Sequence, residues 1–503
     1  MKSPVNHRLL TVLVAAAGSV SAWSQSASVS VPLAPAPGTA PAPTAGAFDR
    51  WSDAVKKPAG WFSWGGDFRA RNEYSDTMMS LTETDPLSEQ DVVRFRARVW
   101  ASAMPVTNVS LNVRFSGEAR EWIDPSALRQ YKNRTGMEWR YGIFDNLNVK
   151  WANAFGAPLT ITAGRQDIML GDYWNWWLCA DGTPGDGSWA FFLDSVRLTY
   201  DLKDCKTKLD AIYIYQNARP DEWIPTLGRS GDFVIGGKAT PYMLTEQNEQ
   251  GVIFNVANKS LKNTQLDGYF IYKRDNKEAA NGDNANIYTL GALITGNPAA
   301  HWQYQLEGAY QFGEKQDPTV RVAYGDPKAW RDLAAYGANA RVSYLCRDHL
   351  NNQFHLVGEY LSGDDPSTKG DEMFDVLWGR WPRWSELYIY SYVNETGGKI
   401  AQWNNLTRFG AGWTMTPIKG MHVGAYYNAL FAPESVPTRA TSAGAACFSN
   451  DGNFRGHYLQ AVLKHQFNKH ITAHLWGEWV FEGDYYAQRD LMTFIRAEVL
   501  LTF

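Results

Sequence analysis

Cysteine is scarce, at four in 503 residues, too few to make a disulfide scaffold of a chain this long. Neither sign of charge is in excess. The 48 basic and 52 acidic residues leave a net charge of −4, which excludes a general nucleic-acid binder, because such surfaces are distinctly basic. Apart from one stretch near the start, no apolar run approaches the roughly 20 residues that a spanning helix needs. A mean hydropathy of −0.37 is likewise too polar for a helical membrane protein. Signatures of catalysis are also missing: there is no Gly-x-Ser-x-Gly elbow, no His-Glu-x-x-His, no cysteine pair at zinc spacing and no phosphate loop. No metal, cofactor or enzymatic activity is expected. The rival from another class is a barrel hydrolase built on a lipid-facing serine and histidine. His457 and His465 share one strand face, but no serine sits beside them.

What is present is aromatic and alternating. With 22 Trp, 25 Tyr and 23 Phe, aromatics reach 14%. A polar chain rich in aromatic rings fits a membrane β-barrel, where half of each strand faces water and the interfaces collect aromatic girdles. The last thirteen residues, 491–503, give the plainest pattern. Leu491, Thr493, Ile495, Ala497, Val499, Leu501 and Phe503 share one parity; Met492, Phe494, Arg496, Glu498, Leu500 and Thr502 share the other. Successive strand side chains point to opposite faces, so the segment predicts a strand with an oily and a wet side. Its length suits a tilted crossing of the hydrocarbon, and its final phenylalanine resembles the terminal strand that barrel-assembly machinery reads. At the other end, Lys2 and Arg8 precede a short apolar run, 9–20, and small residues follow around 22–27. That order predicts a secretory signal peptide over residues 1–24. A Pro/Ala-rich, disordered periplasmic lead-in is expected over 25–58 and an outer-membrane barrel over 59–503.

Within 59–503, about eighteen alternating segments are separated by turns that are in turn short and long. Bacterial barrels have short periplasmic turns and long extracellular loops, so the fold class expected is all-β, a transmembrane antiparallel β-barrel of about 18 strands. Residues 386–393 also read as a strand, but a further crossing would make the count odd, so they are placed in the outer loop 363–403.

A barrel of that size leaves an aqueous lumen. Inward parity selects Arg69, Arg71, Arg94, Arg96, Arg98, Arg114, Arg197, Arg341, Arg408 and Arg496, together with Glu118, Glu307, Glu359, Glu478 and Glu498. Three arginines at i, i+2 spacing on one strand would each cost roughly 2–4 kcal/mol on a lipid face near the midplane, so they must face inward. Two readings stand side by side. The residues form a wall of cross-strand salt bridges, or the arginines from 69 to 114 form a basic sector that binds passing carboxylates in bidentate fashion. The second reading makes them a path for an anionic polysaccharide or oligosaccharide. An uptake porin for sugars or small anions is the alternative.

The segments Gly164–Gln166, Leu193–Tyr200, Glu307–Gly313, Glu359–Pro366 with Phe374 and Asp375, and Val480–Tyr485 resemble the alginate-export family of outer-membrane porins over roughly residues 60–503. The resemblance implies a monomeric eighteen-stranded barrel whose Arg-rich constriction passes an anionic exopolysaccharide outward, with outer-membrane lipids around it and possible periplasmic export partners below. Trp174, Trp176, Trp177, Trp381 and Trp384 are either girdle and loop-packing residues or platforms that stack on sugars. The acidic turn 362–366 with Asp371 lacks the spacing of an EF-hand. By strict parity Arg165 faces lipid unless its strand bulges. Cys205 and Cys346 lie about six strands apart and are expected not to pair, whereas Cys179 and Cys447 are expected to bridge two outer loops.

Overall fold

A computed structural model describes residues 47–125, 137–168, 170, 191–220, 243–318, 320, 330–379, 382, 384–399, 402–440 and 444–503. Among them run eighteen strands: β1 (Phe62–Asp76), β2 (Gln90–Val106), β3 (Val109–Asp124), β4 (Glu138–Trp151), β5 (Leu159–Gln166), β6 (Leu193–Leu202), β7 (Thr207–Gln216), β8 (Gln247–Asn258), β9 (Thr264–Lys277), β10 (Asn284–Ala299), β11 (Trp302–Gln316), β12 (Arg331–Leu345), β13 (Gln353–Leu361), β14 (Leu406–Met415), β15 (Met421–Phe431), β16 (Phe454–Gln466), β17 (Ile471–Glu482) and β18 (Leu491–Thr502). Each expected segment falls on one of these strands. Neighbours in sequence pair antiparallel, and β1 closes the ring onto β18. A closed ring satisfies every strand edge, which is the condition for a sheet to face lipid.

The two ends of the barrel differ. Thr107 and Asn108 alone join β2 to β3, and Asn108 turns at φ 67°; at the other end, 362–405 and 432–453 are long loops. The start of β1 and the end of β18 lie at the short-turn rim, where Gly66 and Phe503 exchange backbone hydrogen bonds of 3.1 and 2.8 Å. That rim is periplasmic by the usual asymmetry of bacterial barrels.

Alternation sorts the side chains as the sequence predicts. Phe68, Val99, Leu111, Leu198, Phe254, Leu290, Leu356, Phe409 and Leu463 are exposed on the outside. In β18, Leu491, Ile495 and Leu501 are exposed, while Met492, Phe494, Arg496, Glu498 and Thr502 are buried.

Three expectations need correction. Residues 386–393 supply no strand: Leu387–Ser391 is a short α-helix, α2, and a 3-10 turn, Tyr392–Asn394, follows it. Its apolar residues come in a run rather than in alternation, and Leu387, Tyr388, Ile389 and Tyr392 are all buried. The expected lead-in also ends in structure. Ala47–Lys56 forms a helix, α1, with Asp49 in its first turn and Lys56 in its last, a charge order that suits the helix dipole. It docks at the periplasmic rim, where Lys469 pairs with Asp49 at 2.5 Å and Phe48 meets the His470 ring edge-on. Finally, Cys447 is a free thiol directed at the Ser80 carbonyl, 3.5 Å away, so the expected bridge is not formed. Its 3-10 helix, Gly444–Cys447, folds onto the β1–β2 loop instead. Cys179 lies outside the described residues. Cys205 and Cys346 are both free.

Candidate functional site

The inner wall of β18, β1, β2 and β3 carries a dense arginine cluster. Antiparallel register places Arg69 opposite Arg96, Arg71 opposite Arg94, and Arg94 opposite Arg120. Like charges directly opposite on a sheet repel, so these pairs need counter-charges. Glu73 receives Arg94 at 2.8 Å and Arg496 at 2.7 Å. Glu118 receives Arg94 at 3.0 Å and Arg120 at 2.7 Å, and Glu498 receives Arg71 at 2.5 Å. Asp67 holds Arg98 at 2.5 Å, with Arg96 at 3.6 Å. Arg69 is the least satisfied. It is 1% exposed, its nearest carboxylates are Glu498 at 3.7 Å and Glu118 at 3.9 Å, and its Nε and Nη1 make no hydrogen bond to protein. Among the described residues, these contacts, with that of Glu386 from the outer loop to Arg496, join seven guanidiniums to five carboxylates.

The facing wall is built differently. Lys273 on β9 lies between Glu249 at 3.3 Å and Asp275 at 3.1 Å. Lys315 on β11 lies between Asp283 and Asp375, at 3.0 Å from each. Lys399 then joins Asp283 at 2.5 Å to Asp317 at 3.1 Å, and Arg439 joins Asp317 at 2.9 Å to Asp371. Here each cation sits between two carboxylates.

The loop after β13 ties the two walls together. Asp375 bonds to Lys315, and the Trp378 Nε1 donates to Glu249 of β8 at 3.1 Å. A few residues on, the loop reaches β17, where Glu478 accepts the Ser385 hydroxyl at 2.6 Å and the Glu386 and Leu387 backbone N–H groups at 2.9 Å each. Glu478 thereby caps the amino end of α2, whose free N–H groups attract a carboxylate. Glu386 itself receives Arg496 of β18 at 2.9 Å. Farther along, Glu395 takes Arg455 of β16 at 2.5 Å, and Lys399 returns to the Asp283 side. Strands β8 and β17 stand nine apart in a ring of eighteen, so they face each other across the lumen. The segment crosses the bore.

Other residues selected by parity are placed as follows. Arg114 turns away from the cluster to Asp145 and Asp167, at 2.8 and 2.9 Å, because its register partner is Trp100, below Arg98. Arg197 pairs with Asp210, and Arg408 with Glu359, each at 2.8 Å. Glu307 accepts the Tyr269 hydroxyl at 2.8 Å and the Asn339 amide at 2.7 Å. Arg341 stands on β12 opposite Gln305, apart from the cluster. Trp384 packs inside the crossing segment, 8% exposed, against Tyr388 and Tyr458 with the Arg408 guanidinium over its ring at 4.7 Å, which leaves little of its face for a sugar. Trp174, Trp176, Trp177 and Trp381 lie outside the described residues.

Arg165 is buried rather than lipid-facing. Gly164 adopts φ 119°, and the guanidinium then donates to Asp194 at 2.8 Å and to the Phe144 and Pro220 carbonyls. In the acidic turn, Asp364 is taken by Arg331 at 2.8 Å and Asp371 by Arg439. Nearby, burial and then Asp365, Glu372 and Asp364 push the Glu434 carboxyl up. His457 accepts or donates to the Tyr427 hydroxyl at 2.8 Å, so a tyrosine, not a serine, is its partner. Lys273 and Lys315 were legible by the same alternation as the arginines. Ser385, Glu386 and Lys399 were not, because a loop has no period and each finds its partner across more than 80 residues of chain.

An oily exterior, a closed eighteen-strand ring and a charged interior define an outer-membrane β-barrel channel. The alginate export family profile matches residues 243–498, just over half of the sequence. The chain belongs to the alginate export family, and its place is the outer membrane of a Gram-negative bacterium. Solved structures with a similar fold include Pseudomonas aeruginosa OccK8 (OprE), at 10% identity over 88% of this chain and 99% of that one, with a TM-score of 0.52. Acinetobacter baumannii OccAB1 is also similar, at 10% identity over 88% and 96% of the two chains and a TM-score of 0.52. No curated protein sequence matches the chain.

Proposed function

We propose that this channel carries an anionic, uronate-bearing polysaccharide or oligosaccharide across the outer membrane, along the arginine face of β18 to β3. The observation that carries the reading is the like-charged register of Arg69 with Arg96 and Arg71 with Arg94, with two Arg69 nitrogens unbonded. A wall serving only the barrel's roundness gains nothing from arginines set opposite one another, and a guanidinium fork fits a sugar carboxylate in a bidentate way. The carboxylates among them keep each contact weak enough for the chain to move on. Residues 1–24 serve as the secretory signal and the following Pro/Ala-rich stretch as a periplasmic tether, with Phe503 presented to the assembly machinery.

The test is a planar bilayer holding the purified full-length barrel across a potassium chloride gradient. An anion-selective reversal potential is expected, with current reduced by micromolar to millimolar oligogalacturonate and untouched by neutral maltooligosaccharide. Cation selectivity, or equal block by the neutral sugar, would overturn the reading and leave a general uptake porin.

A further inference from the structure

We infer that the β6–β7 and β8–β9 turns form a lysine platform at the periplasmic rim, which captures the polyanion before it enters the bore. The inference rests on the proposed anionic cargo and adds where that cargo is first met. The two turns are joined into one surface. Lys259 N donates to the Lys206 carbonyl at 2.9 Å, and the Asn258 amide donates to the Cys205 carbonyl at 3.1 Å and to the Thr207 hydroxyl at 2.7 Å. The turns end four neighbouring strands, β6 to β9, so the surface is about 15 Å wide at roughly 4.8 Å per strand.

Lys203, Lys206, Lys259 and Lys262 are exposed on this surface, and Lys208 joins them from the inward face of β7 that it shares with Asp210. Asp201 and Asp204 are the acids of the same stretches, two against five lysines. Among the described residues, the one salt bridge that any of the five makes is Lys208 to Asp210, at 3.7 Å. Arg197 holds that carboxylate more closely, at 2.8 Å. Asp267, the other carboxylate near Lys259, accepts the Gln265 amide at 2.7 Å. Lys150, exposed on the same face of β4 as Asn148, continues the line toward β3, where Asn112 reaches that asparagine at 3.0 Å. At the outer mouth carboxylates gather instead: Glu434 stands among Asp365, Glu372 and Asp364, and Glu482 beside Asp490 and Glu83. Exposed lysines draw a polyanion in from solution. A hydrated ammonium then holds it less firmly than a guanidinium fork does, so the platform gathers the chain and the arginine face takes it over.

The test exposes single channels of the full-length barrel to oligogalacturonate from one side and then from the other. Blocking events should begin at least about tenfold more often from one side in about 0.1 M salt, the scale of electrostatic steering. The ratio should fall toward one in about 1 M salt, where exposed charges are screened. Lys203→Gln, Lys206→Gln, Lys259→Gln and Lys262→Gln combined should slow entry from the faster side alone, which marks that side as periplasmic. Heat-modifiable gel mobility confirms that the variant is folded. Equal entry rates from the two sides of the wild type, or a side preference unmoved by the four replacements, would overturn the platform and leave the arginine path standing. Absence of block from either side would instead count against the proposed cargo. Affinity of the detergent-solubilised barrel for polygalacturonate then decides the platform: binding several-fold weaker in the variant is expected, and equal binding would overturn it.

Discussion

Two walls of one barrel solve the same electrostatic problem in different ways. From β8 to β11, Lys273 and Lys315 each sit between two carboxylates, and the ribbon continues through Lys399 and Arg439 into the outer loops. From β18 to β3, arginines face arginines in register, and Arg69 is left with two unbonded nitrogens. Buried charges are tolerated when paired and hydrogen-bonded. The first wall meets that rule and reads as architecture. The second departs from it, and a departure maintained by the fold is where function is to be sought.

The sharpest way to break this contrast is to remove one cation from each wall. Lys315→Met leaves Asp375 buried without its partner and should destabilise the barrel by about 3–5 kcal/mol, the cost of breaking a buried pair. Arg69→Gln removes a charge that no carboxylate holds at hydrogen-bond distance, so its cost should stay within about 1 kcal/mol. Urea unfolding followed by tryptophan fluorescence in detergent reads both; equal losses would erase the distinction between the walls. Simultaneous replacement of Arg94, Arg96 and Arg98 is a poorer test, because it takes Arg96 and Arg98 from Asp67 and Arg94 from both Glu73 and Glu118.

The same contrast extends from inside to outside on one strand. Val499→Arg places a charge on the lipid face and should cost roughly 2–4 kcal/mol if near the midplane. Leu500→Arg points to the face that already holds Arg496 and Glu498, and should leave the heat-modifiable gel shift of outer-membrane fractions close to wild type. Equal tolerance at the two positions would mean the faces are assigned the wrong way round.

The smallest effect belongs to the outer mouth. Burial and neighbouring carboxylates raise the Glu434 carboxyl. A carboxyl raised on folding favours the folded state at pH below its unfolded value and loses that advantage as pH rises through the folded one. Glu434→Gln should therefore raise the melting midpoint slightly at pH 7.5 and leave it unchanged at pH 4. A variant that melts lower at pH 7.5 would contradict the sign.

Much of this was legible in the sequence, and for one physical reason. A strand's period of two is written directly into residues such as Val93 to Arg98 and Leu491 to Leu501, so the barrel, its count and the inward arginines follow from alternation. Where that period lapses, the reading failed. Residues 386–393 have strand-like composition, yet their place against Glu478 and Arg496 is decided by partners about a hundred residues away. A helical turn in the bore leaves no pattern that marks it as such. Arg165 escaped for a related reason, since a glycine at φ 119° breaks the parity on which its assignment depended. That no carboxylate comes within hydrogen-bond distance of Arg69 was also hidden, because alternation gives the face of a residue but not the register of its neighbours.

One measurement bears most directly on the functional wall: the reversal potential of the wild type beside that of Arg69→Gln and of Arg69→Gln with Arg96→Gln. The expected result is anion selectivity that falls stepwise across the three, with folded gel mobility kept throughout. Selectivity unchanged by both replacements, in channels that still conduct, would contradict the claim that the opposed arginines set what passes.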